Sequence, residues 1–203
     1  MRSKILLHIC CAPCALYPLE VLNDENLDIT GFWFNPNIHP YLEYKKRLFE
    51  VQKISKILNF PLIVGDNYEI EQYLKWILDR DGTDRASRCK RCYEYRLSAT
   101  AKYAAENDFD AFTTTLLYSK YQNHKVLKSL GEKFAENFGV KFLYRDFREG
   151  WSRGIKLSRK FKLYRQQYCG CIFSEYERFE KTADLVLQHY EWIPRRKEDC
   201  EAS

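Results

Sequence analysis

The sequence predicts an α/β fold: a doubly wound, mostly parallel five-stranded sheet followed by a helical C-terminal extension. Three observations carry that prediction. Short aliphatic or β-branched runs alternate with stretches of helical spacing from Ile5 to Tyr144, as in right-handed strand–helix–strand units. The clearest strand candidate, Ile5 to Ile9, is a continuous apolar run, which suits a strand covered on both faces. Each strand candidate is followed by polar or thiol residues, in order Cys10 and Cys11, Asn35 and Asn37, Asp66, Ser119, and Asp146. Open parallel sheets bind ligands beyond the carboxyl ends of their strands.

The first strand, Ile5 to Ile9, runs into Cys10, and Pro13 then opens a helix, since a first-turn proline lacks only an amide that has no partner there. Leu27 to Phe34 is the second strand, closed by Asn35, Pro36, Asn37 and Pro40. Tyr44, Leu48, Val51, Ile54 and Leu58 recur at helical spacing. Leu62 to Val64 is a short third strand stopped by Gly65 and Asp66, with a helix expected over 68–78. A charged loop, Asp79 to Arg88 with Gly82, delivers Cys89 and Cys92 to the start of a helix whose inner face is Leu97, Ala101, Ala104 and Ala105. Ala111 to Thr115 is the fourth strand, Leu127, Leu130, Phe134 and Phe138 stripe the next helix, and Val140 to Tyr144 is the fifth strand. Residues 1–146 thus form the sheet unit. Residues 147–203 form a basic extension ending in a helix with Phe173, Tyr176, Phe179 and Ala183 on its apolar face; it closes over the sheet edge as part of one compact unit.

With 203 residues, 45% hydrophobic and 30% charged, the chain is long enough to bury a core and too apolar to be disordered. No run approaches the roughly 18 apolar residues of a membrane span. Lys4 to Leu16 is broken by His8, Pro13 and cysteines and lacks a signal-peptide cleavage site. A cytoplasmic location is expected, with no membrane partner. Arg145 to Arg165 holds eight basic residues against Asp146 and Glu149, a larger excess than the net +5 of the whole chain. Trp151, Phe161, Tyr164 and Tyr168 are interleaved with them. A charge run is ordinarily a solvated helix face, but cations beside stacking aromatics suit RNA, with Arg145, Arg148, Arg153, Lys156, Arg159 and Arg165 as the contacts.

The cysteines fall in three clusters: Cys10, Cys11 and Cys14; Cys89 and Cys92; Cys169 and Cys171. A disulfide scaffold suits shorter secreted chains. A four-thiolate zinc site from Cys11, Cys14, Cys89 and Cys92 has the right spacing, yet it leaves vicinal Cys10 and the Cys169–Cys171 pair unexplained. Neighbouring thiols at a strand end diverge and suit a 4Fe-4S cluster, whose irons face different ways, better than one ion. The expected cluster ligands are therefore Cys10, Cys11, Cys89 and Cys92. Cys14, Cys169 and Cys171 remain for a redox dithiol or a second, mononuclear iron, with Asp146 as a carboxylate partner. Cys200 is incidental. No G-x-x-x-x-G-K-[ST], G-x-G-x-x-G or H-E-x-x-H motif occurs. His8 is expected to be structural, and His39, His124 and His189 to lie on the surface.

LLHICCAPC (Leu6 to Cys14), NPNI (Asn35 to Ile38), RCKRCY with Arg96 and Leu97, TTTLLYS (Thr113 to Ser119) and LYRQQYCGCIFS (Leu163 to Ser174) stand in an order that resembles the QueH-type epoxyqueuosine reductases. The resemblance implies a sheet like that of the adenine nucleotide α-hydrolase (HUP) superfamily, with Cys10 to Cys14 standing in place of its phosphate-binding loop, so that no ATP is expected. It implies an iron–sulfur, cobalamin-independent reductase that converts the epoxide of epoxyqueuosine to the alkene of queuosine at the wobble position of tRNA, the last step of queuosine synthesis. An external electron donor is expected to supply the reduction, with Cys169 and Cys171 or a second iron as partner to the cluster, Asp146 as candidate proton donor, and the basic segment holding the anticodon stem-loop. Two other readings are a zinc-stabilised RNA-binding module and an iron–sulfur tRNA thiolation enzyme that uses ATP.

Overall fold

The computed structural model describes residues 2–65, 67–78 and 84–189, with side chains up to Glu180 and at Thr182. Asp66, Gly82 and Cys200, and the side chains of Ala183 and His189, lie outside the described part.

Five parallel strands, β1 (Lys4–His8), β2 (Asp28–Trp33), β3 (Leu62–Val64), β4 (Ala111–Thr114) and β5 (Lys141–Phe142), lie in the order β3-β2-β1-β4-β5. The chain winds outward from β1 through β2 to β3, then returns to place β4 on the other side of β1. That reversal opens a crevice at the carboxyl ends of β1 and β4, the place where doubly wound sheets bind ligands. His8 pairs in register with Phe32 and Thr114, so the two central ladders end level with Cys10.

The helices are α1 (Ala12–Asp24), α2 (Tyr41–Leu58), α3 (Ile70–Leu78), α4 (Arg85–Glu106), α5 (His124–Phe138), α6 (Trp151–Lys160) and α7 (Ile172–His189). Pro13 occupies the first turn of α1, as expected. α4 starts earlier than its charged approach predicts, because the Asp84 carboxylate accepts from the amides of Ala86 and Ser87 at 2.9 and 3.1 Å and caps it. Cys89 and Cys92 therefore stand one turn apart on one face of an established helix. β5 is shorter than expected, and β4 passes into a 3-10 turn, Thr115–Tyr118, capped by the Thr114 hydroxyl.

Leu6, Leu7, Trp33, Phe112 and Leu117 are buried in one core that also contains Phe147 and Leu163 of the extension. α6 approaches α1 closely because two glycines face aromatic rings: a Cβ on Gly150 would fall 2.1 Å from Tyr17 and one on Gly154 2.2 Å from Tyr118 Oη. That approach lets Tyr118 donate to the Trp151 carbonyl at 3.0 Å and Arg153 reach Glu20 at 2.7 Å. On α7, Phe173 and Phe179 are partly buried, but Tyr176 is 68% exposed, so the expected apolar face is narrower than its spacing suggests. Among the described residues no helix is long and apolar enough to cross a membrane.

Candidate metal centre at the carboxyl edge of the sheet

Cys10 and Cys11 leave β1 directly and Cys14 stands in the first turn of α1, so one tight turn gathers three thiols at the crevice. Their sulfurs all lie within 4.8 Å of one another, an arrangement able to hold a metal ion. Thr115, just past β4, closes the crevice from the other side. Its hydroxyl accepts from the Cys10 amide at 3.0 Å and donates to Cys10 Sγ at 3.2 Å. Hydrogen bonds from Cys11, Cys14 and Thr115 pull the Cys10 thiol well below its ordinary range, against the effect of burial. Burial pushes Cys11 up, and the bonds it shares with Cys10 raise Cys14. Gln166 Nε2 donates to Cys11 Sγ at 2.8 Å.

The remaining clustered thiols, Cys89, Cys92, Cys169 and Cys171, line one pocket together with Asn37, Tyr73, Arg96, Gln122 and Phe173. Burial, and then the sulfurs of Cys92 and Cys171, push the Cys89 thiol up to about 11. Gln122 Nε2 lies 3.7 Å from Cys169 Sγ, and the Ser174 amide donates to Cys171 Sγ at 3.4 Å. The Cys169–Gly170–Cys171 turn is held by Arg47. Buried in α2, Arg47 donates to the carbonyls of Cys169 (2.8 Å) and Tyr168 (3.2 Å) while pairing with Glu43 at 2.7 Å. Gly170 has φ +133°, and a Cβ there would meet Ile38 at 3.0 Å and Arg47 at 3.1 Å, so glycine is required. The Gly170 carbonyl accepts from the His39 amide at 2.7 Å, and Tyr168 donates to the His39 carbonyl at 2.7 Å.

Between the two thiol groups lies Arg96, 1% exposed, whose Nη1 is 3.4 Å from Asn35 Oδ1. Burial alone pulls a guanidinium down, but the sulfurs of Cys92, Cys169 and Cys10 outweigh it and keep Arg96 charged. It supplies a fixed cation beside the cysteine sulfurs. His8 is structural, as expected. Its Nε2–H donates to the Phe34 carbonyl at 3.2 Å, its Nδ1 accepts from Thr114 at 2.8 Å, and burial lowers it to about 3, so it is neutral.

His39 and His124 are 4% and 7% exposed rather than on the surface. His39 packs against Tyr68 and Tyr73, and His124 folds back 3.3 Å from the Ser119 carbonyl at the start of α5. Asp146 is not among the residues lining the thiol pocket. It binds Arg148 through both oxygens, and that hydrogen bonding holds its carboxyl at about 2. An ionised, cation-paired carboxylate is a poor proton donor at neutral pH, so the expected acid role of Asp146 has no support here. Of the basic residues, Arg145 pairs with Glu25, Arg148 with Asp146 and Arg153 with Glu20. Lys156, Arg159 and Arg165 are exposed.

Arg47 escapes a reading for chemistry, although its position signals it: a basic residue between Tyr44 and Val51 sits on the apolar stripe of its helix, and a charge buried there needs built partners.

The family described as epoxyqueuosine reductase QueH matches residues 5–177, which include every one of the clustered cysteines. The chain belongs to this family. An epoxyqueuosine reductase QueH of Dehalococcoides mccartyi is 38% identical over 182 residues, covering 89% of this chain and 97% of the relative. One from Thermotoga maritima is 36% identical over 189 residues, covering 90% and 96%. Among solved structures, a predicted tRNA methyltransferase subunit of Methanocaldococcus jannaschii aligns with TM-score 0.51 at 13% identity, over 96% of this chain and 94% of the other. The U34-tRNA thiolase NcsA of Methanococcus maripaludis, with its [4Fe-4S] cluster, aligns with TM-score 0.50 at 12% identity, over 92% and 66%. Those two likenesses show a shared fold, consistent with the expected architecture. Family membership decides for an oxidoreductase over the two other readings.

Proposed function

We propose that this protein reduces epoxyqueuosine to queuosine in tRNA at a metal centre built from its clustered cysteines. The observation that carries the reading is the convergence of three sequence-distant thiol segments on the crevice between β1 and β4 and the pocket beside it. Soft thiolates in that number suit iron–sulfur ligation. The proposed cluster ligands are Cys10, Cys11, Cys89 and Cys92, with Cys14, Cys169 and Cys171 left for a redox dithiol or a second iron. The mutual 4.8 Å approach of Cys10, Cys11 and Cys14 supports a second partition, in which these three hold one centre and the four pocket thiols the other.

Removing the epoxide oxygen takes up two electrons and two protons and releases water. Cys10, Cys11, Cys89 and Cys92 would hold an iron–sulfur centre, which would supply the electrons drawn from an external donor. Arg47 and Gly170 hold the Cys169–Cys171 turn in place, Arg96 balances thiolate charge, and Tyr73 and Phe173 wall the pocket. No ATP is consumed in this reading, since Cys10 to Cys14 occupy the β1–α1 turn where a phosphate loop would stand.

The tRNA lies on the extension. Exposed Lys156, Arg159 and Arg165 face phosphates without breaking an ion pair among the described residues. Arg145, Arg148 and Arg153 exchange surface carboxylates for phosphates at small cost, because exposed ion pairs are screened by solvent and contribute little. Tyr121, 77% exposed on the pocket rim and edge-on to Trp151, offers a ring for an unstacked base. Incubating iron-loaded protein and a chemical reductant with tRNA carrying epoxyqueuosine, then weighing the released nucleosides, tests the reading. Loss of one oxygen from the modified nucleoside is expected, and an unchanged nucleoside mass contradicts it.

A further inference from the structure

Two asparagines follow β2, and they are used differently. Asn35 is fully buried with both ends engaged, its Nδ2 donating to the Ile9 carbonyl at 2.8 Å and its Oδ1 lying 3.4 Å from Arg96 Nη1. Asn37 is 1% exposed, yet neither its Nδ2 nor its Oδ1 has a partner among the described residues. It lines the pocket formed by Cys89, Cys92, Cys169 and Cys171. A buried amide without a partner is costly, and the bonding of the described residues does not account for an asparagine there. The carboxamide is a weak competitor for a soft metal surrounded by thiols. What it does offer is a donor and an acceptor side by side, the complement of hydroxyl groups on a small ring. The neighbouring walls, Tyr73, Ile77 and Phe173, are apolar and suit the carbon face of such a ring.

We propose that Asn37 is a specificity-determining residue that binds the hydroxyl groups of the cyclopentane ring of epoxyqueuosine and so sets the epoxide against the thiol-held centre. This rests on the reductase reading above. The amide is left unpaired in the free protein so that the substrate completes its hydrogen bonds. An RNA with plain guanine at the same position has no such ring, and gains nothing from Asn37.

The test compares iron-loaded wild type with Asn37→Leu and Asn37→Ser. The readouts are Tm, iron content, affinity without reductant for one tRNA carrying either epoxyqueuosine or unmodified guanine, and kcat/KM with reductant. Both variants are expected to keep their iron and to melt no lower than wild type, Asn37→Leu higher, because no protein hydrogen bond is lost and the leucine removes an unpaired buried amide. Affinity for the unmodified tRNA stays the same, while the preference for the epoxyqueuosine form and kcat/KM each fall at least about tenfold. An unchanged preference, or loss of iron or of fold in both variants, overturns the assignment of Asn37. Wild-type protein that leaves epoxyqueuosine unreduced overturns the reductase reading instead.

Discussion

At Arg47 a single buried charge carries two duties, pairing with Glu43 and clamping the carbonyls of Tyr168 and Cys169. Removing one member of a buried pair strands the other. Arg47→Met is therefore expected to cost about 3 kcal/mol, which in a chain of this size lowers Tm by roughly 6–12 °C, and calorimetry checks it. Asp146 leads to the opposite expectation. With its carboxyl held at about 2 by Arg148, its contribution to stability is complete above the ordinary carboxylate value of 3.8 and is lost only as pH falls toward 2. It does not titrate where the enzyme works. Asp146→Asn should leave the shape of the pH–rate profile between about pH 5 and about pH 8 unchanged, whereas loss of an alkaline limb in that variant would restore Asp146 as the proton donor. The cysteines were legible as residues because their clustering is unusual, and Asn35 because it follows a strand at the binding edge; Arg96 stood out only as part of the motif that carries the family resemblance. The burial of His39 and His124 was not, since nothing local in sequence announces that Tyr68, Tyr73 or the Ser119 carbonyl will close over them.

Among elements, α6 depends most on small residues. Its docking on the α1 side of the sheet relies on Gly154 leaving room for the Tyr118 hydroxyl, which holds the Trp151 carbonyl. Gly154→Ala overpacks that contact and should destabilise by about 1–3 kcal/mol. Because Trp151 and the basic face ride on this helix, tRNA affinity should fall while iron content stays at the wild-type level; filter binding and metal analysis separate the two. Strand and helix order were readable from periodicity, and so was the crevice. Element ends were less so: the Asp84 cap that starts α4 early is set by a side-chain geometry that charge composition hides, and β5 shortens because Leu143, whose amide still bonds to the Phe112 carbonyl at 2.9 Å, lies beyond the regular ladder.

Across the whole molecule, a parallel sheet reverses its winding at β1 and β4, where Cys10, Cys11 and Cys14 gather, and the Cys89–Cys92 and Cys169–Cys171 segments meet in a separate pocket because the extension folds back. Composition cannot reveal that meeting; the buried Phe147 and Leu163 anchor the extension that carries Cys169 and Cys171. How the thiols divide is a matter of distances that spacing does not contain. The two partitions differ at Cys14: Cys14→Ala removes a ligand from the second centre in one, and from the trio with Cys10 and Cys11 in the other. The most direct test is an iron, zinc and sulfide count with a visible spectrum on protein purified without oxygen, for wild type and Cys14→Ala together. The wild type should carry at least about four irons and four sulfides per chain and absorb broadly near ~400 nm. Zinc without sulfide in the wild type would contradict the metal-centred reductase proposed here.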